Sequence, residues 1–195
     1  MRRAVPYGLA FALALPAAAA AAQTLKPADC IAHATPADLA ERLVVAAPVT
    51  DRILKAIPEG RVAALARACK LAPSPASDLL VTSTLRADAL LTWAVRGFRK
   101  INPVDEAILD SGWLGMTQDT RRELAAGLQS LPSDKAITEF TAWTKALKIE
   151  TSPARSMLLL YASARGTIEN TNDGIAPPPL PKPKAPAPVT PSPAA

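Results

Sequence analysis

Helix-start signals recur through the central part of this chain and limit its fold more than any other feature. Most are Ser, Thr, Asp or Asn side chains that can accept hydrogen bonds from free backbone N–H groups, often followed by a proline that lacks one. They predict eight helices, which begin at Thr35, Thr50, Pro58, Ser74, Asn102, Thr117, Ser133 and Ser152. The expected ends lie near Ala47, Ile57, Leu71, Ile101, Asp110, Pro132, Ile149 and Ile168.

Apolar residues within these segments repeat at intervals of three and four, the spacing of one helix face. Leu90, Trp93 and Ala94 show it in the longest segment, and Ile137 and Phe140 show it in a later one. No stretch alternates apolar and polar residues with the β-branched and aromatic richness of a strand. The sequence therefore predicts an all-α fold, a single compact bundle of about seven or eight helices over residues 23–172.

One segment, residues 157–162, is apolar on every side of a helix and is flanked by Arg155 and Arg165. A helix that is apolar all round normally packs on several neighbours. It is also too short to cross a bilayer. We therefore expect this helix in the middle of the bundle.

The first 22 residues have the order of a secretory signal peptide. Arg2 and Arg3 precede an apolar stretch, and the alanines up to Ala22 supply a small-residue cleavage site. We expect cleavage near Gln23, and a mature chain that is periplasmic or secreted and has no stable membrane span. An uncleaved membrane anchor is the alternative, because the apolar stretch is nearly long enough to span a bilayer.

Cys30 and Cys69 are the only cysteines of the chain. An even number of cysteines in an exported protein is expected to be paired, so the sequence predicts a Cys30–Cys69 disulfide. The bond would join the N-terminal segment to the helix that begins at Pro58. Chain entropy gives a ring of roughly 40 residues a stabilisation of about 4 kcal/mol.

Residues 173–195 differ in composition from the rest of the chain. Proline occupies nearly every second position from Pro177 to Pro193. Such a segment cannot build a core and favours extended polyproline II. The sequence predicts a disordered proline-rich tail, which we expect to contact an envelope protein or the cell wall.

The formal net charge of +5 does not indicate a nucleic-acid partner. Four of the 22 basic residues, Arg2, Arg3, Lys182 and Lys184, lie in the terminal segments, which leaves 18 against 17 acidic residues. Binding to nucleic acid needs a concentrated basic face. We therefore expect no nucleic-acid partner.

Five aromatic side chains are candidates for ligand binding: Trp93, Phe98, Trp113, Phe140 and Trp143. All but Trp113 lie in amphipathic helices and could line a pocket for an apolar ligand between them. Core packing would use the same residues and is favoured. Trp113 lies in the glycine-bracketed stretch 111–115, where an exposed ring could stack on a sugar.

Asp105, Glu106 and Asp110 precede Trp113, and paired carboxylates beside such a ring would suit glycoside cleavage in the cell wall. The competing interpretation is that Asp105 and Glu106 complement the dipole at a helix start. In that case Trp113 tucks back as an apolar contact. We favour this second interpretation.

The other reactive side chains indicate no catalytic or metal site. His33, the only histidine, follows Cys30 by three residues, but a metal site needs further ligands. It is also the only imidazole that could act as the base of a nucleophilic site, so we do not expect a triad-type hydrolase. Basic residues near a helix end, here Arg96, Arg99 and Lys100, are favoured there by the helix dipole. We expect no cofactor, no metal and no catalytic residue.

These observations favour a non-enzymatic envelope protein that acts as a helical interaction or scaffold module. The alternative is a carrier of a small apolar or lipid-like ligand between the helices around Trp93 and Trp143. A third possibility is a peptidoglycan-acting enzyme that uses Asp105, Glu106 or Asp110.

Overall fold

The computed structural model describes residues 25–126 and 132–176, and the regular structure within these ranges is entirely α-helical. The described helices are α1 (Pro27–Ala34), α2 (Ala37–Ala46), α3 (Thr50–Ala56), α4 (Arg61–Ala68), α5 (Pro75–Ile101), α6 (Glu106–Leu114), α7 (Gln118–Ala125), α8 (Asp134–Ala146) and α9 (Ser152–Asn172). The prediction of an all-α fold is confirmed, with one helix more than the eight that the start signals mark.

Two predictions lie outside the described residues. They are the signal peptide at residues 1–22 and the proline-rich stretch from Pro177 to Pro193. Within the described ranges, no helix is both long enough and apolar enough to cross a membrane.

Three of the predicted helix starts have the expected cap. The side chains of Ser74, Thr117 and Ser133 each accept a hydrogen bond from the backbone N–H three residues further on. Each cap satisfies a donor that the first turn of the helix leaves free. Local sequence chemistry therefore determines where α5, α7 and α8 begin.

The predicted start at Asn102 is wrong. Asn102 ends α5 in an extended conformation, which the following Pro103 favours by excluding the helical region. The Asn102 side chain donates a hydrogen bond to the carbonyl of Leu147, at 3.2 Å. Asp105 caps α6 instead.

The helix predicted to begin at Thr35 is α2, which begins at Ala37, and α1 was not predicted. Thr35 follows α1, and its hydroxyl donates to the carbonyl of Ile31 at 2.6 Å. Lys26 precedes α1 and supplies no side-chain cap. The Ala28 N–H is bound instead by the side chain of Asn172, at 2.9 Å and 144 residues along the chain. The local start signal is therefore incomplete: Pro27 begins the helix and Asp29 lies in its first turn, but the side-chain bond comes from a distant helix.

The long helices α5 and α9 run antiparallel and are shared by two groups of core residues. The first group joins the N-terminal half of α5 to α1–α4 and to Ala164 of α9. The second joins the C-terminal half of α5 to α6–α8 and to the N-terminal half of α9. Gly97, near the end of α5, accordingly faces Met157, near the start of α9.

The prediction that the last helix is central is confirmed. From Met157 to Asn172 no residue of α9 is exposed. The helix packs on α5, α7 and α1. Gly166 allows the close approach of α7, since a Cβ there would lie 2.6 Å from the Cβ of Ala125.

The predicted Cys30–Cys69 disulfide is confirmed. It joins α1 to the residue that follows α4, with a Cα–Cα distance of 5.8 Å. This distance lies within the range that disulfides span without backbone movement.

Asp88, in the middle of α5, should make the stability of the protein depend on pH. Burial raises the pKa of its carboxyl above the ordinary value of 3.8. The folded chain therefore holds this proton more tightly than the unfolded chain, so this group lowers stability as pH rises above about 4. Asp88→Asn should raise the denaturation midpoint at pH 7 and lose that advantage below about pH 3.8, where both states are protonated. Urea titrations at the two pH values measure this difference. A less stable Asn variant at pH 7 would contradict it.

Candidate functional site

The five aromatic candidates come together in one part of the molecule. Phe98, Trp113 and Trp143 are buried in the second group of core residues, and Trp93 and Phe140 pack against it half-buried. The Phe140 and Trp143 rings meet edge to face, with their centroids 6.0 Å apart. This packing is what a core requires, and an apolar ligand pocket at these residues stays a prediction.

Of the two interpretations of Trp113, the structure agrees with the favoured one, in which the ring packs inward, and contradicts the exposed ring. Trp113 lies within α6 and is 1 % exposed. Its indole N–H donates to the carboxylate of Glu169 on α9, at 3.0 Å. The ring therefore holds α6 against α9 and is not available to stack on a sugar.

Each of the three candidate carboxylates has a structural partner. Asp105 accepts from the backbone N–H of the second residue of α6. Glu106 pairs with Arg99 of α5 at 3.2 Å. Asp110 accepts a hydrogen bond from the Tyr161 hydroxyl. These contacts favour the structural interpretation of the three carboxylates over the catalytic one.

The Tyr161 hydroxyl is a donor and not a base. Burial, followed by the hydrogen bond to Asp110, raises the pKa of the Tyr161 phenol far above its ordinary value. The phenol therefore stays protonated over the physiological range. Arg165, one turn further along α9, lies 3.4 Å from Asp110 and neutralises its charge.

Arg121 of α7 joins the same contact region. Its guanidinium pairs with Glu169 at 2.9 Å and also donates to the carbonyl of Met116 at 2.7 Å. It lies over the Trp113 ring, 6.0 Å from the centroid. Glu169 thus accepts from both α6 and α7, and a charged pair largely shielded from water holds geometry well.

The inner face of α6 packs against its neighbours from Leu109 onward. Leu109, Trp113 and, just beyond the helix, Met116 are buried. A Cβ at Gly112 would overlap the indole ring of Trp143, so the absence of a side chain there lets α8 pack directly on α6. The orientation of α6 is therefore determined by its neighbours.

The opposite face of α6 is exposed and uncharged. We define the α6 outer face as the exposed residues Ala107, Ile108, Ser111, Leu114 and Gly115. Ile108 is 54 % exposed and Leu114 is 63 % exposed. The outer side of a surface helix normally carries charged and polar residues, so this uncharged face with two large aliphatic side chains is the candidate functional site.

Two of the three basic residues near the end of α5, Arg96 and Arg99, form ion pairs with two different helices. Arg96 makes a two-pronged ion pair with Glu41 of α2, at 2.8 and 2.9 Å, and this hydrogen bond lowers the pKa of Glu41. Arg99 pairs with Glu106 of α6. Both arginines are engaged in contacts between helices, which the helix-dipole interpretation did not foresee.

The Cys30 sulfur is used in the disulfide, and His33 of α1 is exposed. In the part of the chain that the structure describes, no three His, Cys, Asp or Glu side chains form a group that could hold a metal ion.

Sequence reasoning missed Arg121, Tyr161 and Glu169. Their partners lie 48 to 56 residues away along the chain, and no local pattern marks such contacts. The i, i+4, i+8 spacing of Tyr161, Arg165 and Glu169 on α9 was the one available signal.

No family model, no curated protein and no solved structure matches this chain, so its function has to be argued from the geometry of this region.

Proposed function

We propose that this chain is a non-enzymatic interaction module of the cell envelope that binds an uncharged, aliphatic protein surface through the α6 outer face. The observation that carries the proposal is the exposure of Ile108 and Leu114 on a helix face without any charge. Full burial of a completely exposed aliphatic side chain of this size is worth about 1.5–3 kcal/mol, so covering each of these half-exposed side chains contributes roughly half of that. This contribution suits a weak, reversible interface.

The contacts behind the face support the same proposal. Trp113, Asp110 and Gly112 hold the inner side of α6 against α9 and α8. A surface held rigid before binding loses little conformational freedom when a partner docks. Contacts within the chain also engage Asp105, Glu106 and Asp110, which favours a binding role over a hydrolytic one.

The Cys30–Cys69 disulfide supports an oxidising compartment, either periplasmic or extracellular. The proposed signal peptide at residues 1–22 would deliver the chain there. The proposed tail at residues 173–195 would then be a second contact, with the wall or with another envelope protein.

Leu114→Glu should abolish partner binding without weakening the fold. A photo-crosslinking residue is placed at Ile108, the chain is expressed in its own cells, and the adducts are measured by mass. We expect adducts of defined mass, reduced about tenfold or more by Leu114→Glu, because the change puts a charge beside the anchor. Since Leu114 is exposed, the free energy of unfolding should change by no more than about 0.5 kcal/mol.

Ile137 of α8 is the matched control. It is 50 % exposed, and no other large aliphatic side chain of α8 is exposed, whereas Ile108 shares its face with the exposed Leu114. A crosslinker at Ile137 should give no defined adduct, and Ile137→Glu should leave the Ile108 adducts intact. Removal of residues 177–195 separates the two proposed contacts, because adducts at Ile108 should persist. Equal labelling from Ile108 and Ile137 would overturn the proposal.

A further inference from the structure

We infer that the α6 outer face docks on the same face of a second copy of this chain, in an antiparallel contact whose two-fold axis passes between the two Ser111 residues. The inference rests on the proposed function, because it names the partner of the same surface. It follows from the arrangement of the face, its lack of charge and its size.

The α6 outer face is symmetric about Ser111. Ile108 and Leu114 lie three residues before and three residues after it, at about 60° to either side on a helix of 3.6 residues per turn. Ala107 and Gly115 lie four residues before and after it, about 40° to either side and in the reverse order. A two-fold axis between the two Ser111 residues and perpendicular to the helices can therefore bring Ala107 of one copy against Gly115 of the other. Ile108 then meets Ile108 of the other copy on one side of this line, and Leu114 meets Leu114 on the other side.

The side chains of this face allow a close approach at the axis. Ser111 is small and stands at the centre, with Ala107 and Gly115 on the diagonal beside it. Two helices can therefore come together along this line, while the aliphatic side chains of Ile108 and Leu114 close the contact on both sides.

Charge favours a second copy over a charged partner. In a two-fold contact each group near the axis meets its own equivalent, so any charge there would repel itself. The α6 outer face has none. The acidic side chains that border it are engaged within the same chain: Glu106 and Asp110 pair with Arg99 and Arg165, and Asp105 caps α6.

The size of the face sets the strength of the contact. A helix of 9 residues is about 13 Å long. A standard stable interface buries about 800 Å² on each partner, which one face of such a helix cannot supply. The inferred contact is therefore weak and reversible, a pairing that depends on high local concentration.

A thiol at the centre of the face tests this geometry. Ser111→Cys should form an intermolecular disulfide on mild oxidation at high protein concentration, because the axis brings the two introduced thiols within disulfide reach, a Cα–Cα distance of about 4.4–6.8 Å. Ile137→Cys is the matched control and should stay monomeric. Adding Leu114→Glu to Ser111→Cys should reduce the dimer about tenfold or more. Intact mass and peptide mapping measure the dimer and verify that Cys30–Cys69 is retained.

The outcomes separate this inference from the proposed function. Equal dimer yields from Ser111→Cys and Ile137→Cys would show random oxidation and overturn the inference. No dimer from Ser111→Cys, together with a defined adduct to a different protein from the Ile108 crosslinker, would overturn self-docking and leave the proposed function standing. If Ser111→Cys gives no dimer and the Ile108 crosslinker gives no defined adduct, both the inference and the proposed function fail.

Discussion

Replacing Cys30 and Cys69 together by serine should lower the free energy of unfolding by about 4 kcal/mol. The disulfide closes a ring with a sequence separation of 39 residues, and removing it returns that loop entropy to the unfolded chain. The loss should be concentrated in α1. At 8 residues, α1 is too short to stay helical without tertiary contacts. Its other contacts include the buried Ile31 and the bond from Ala28 to Asn172.

Denaturant titration measures the total loss, and hydrogen exchange of residues 27–34 locates it. The control is the unmodified chain after reduction, which should match the double serine variant and differ from the oxidised chain. A variant that unfolds at the same denaturant concentration as the oxidised chain would contradict the prediction. So would exchange that is unchanged in residues 27–34.

Gly166→Ala should lower the free energy of unfolding by about 3 kcal/mol. Besides the Cβ of Ala125, the new methyl group would meet two backbone atoms of α7 at 3.0 Å, the Cα of Ala125 and the carbonyl oxygen of Arg121. Backbone atoms cannot turn aside as a side chain can, so α7 must move away from α9. That movement also stretches the ion pair between Arg121 and Glu169, whose side chains are 16 % and 28 % exposed.

Gly97→Ala is the matched control for this change. Both glycines lie within long helices, but a Cβ at Gly97 meets only the flexible end of Met157, at 3.0 Å. The gain in helix propensity, about 1 kcal/mol, opposes the small cost of moving that side chain. We expect stability within about 1 kcal/mol of the unmodified chain. Similar denaturation midpoints for the two alanine variants would show that α7 and α9 are not held at this distance.

Local chemistry predicted the helices whose starts are capped by their own sequence. The predicted starts at Ser74, Thr117 and Ser133 are confirmed, because each capping side chain lies only three residues from the N–H that it binds. The start at Asn102 failed because a tertiary contact determines that chain segment, in which the Asn102 side chain bonds to the residue that follows α8.

The α6 outer face could not be predicted from the sequence. Residues 107–109 and 113–114 are apolar on several sides of the helix, so the pattern does not tell which side is buried. Contacts with residues that are distant along the chain determine which side of α6 is buried. Trp113 turns inward because Glu169 and Arg121 receive its ring, which leaves Leu114 outside.

The position of α9 has a consequence for how the chain acquires its structure. Both groups of core residues share α5 and α9, and α9 is the last of the described helices along the chain. During synthesis, the apolar surface of α5 therefore stays uncovered until Ser152–Asn172 has emerged. A product that stops before α9 has no other element to take its place, so premature termination should yield a chain that aggregates or is degraded and not a smaller folded domain.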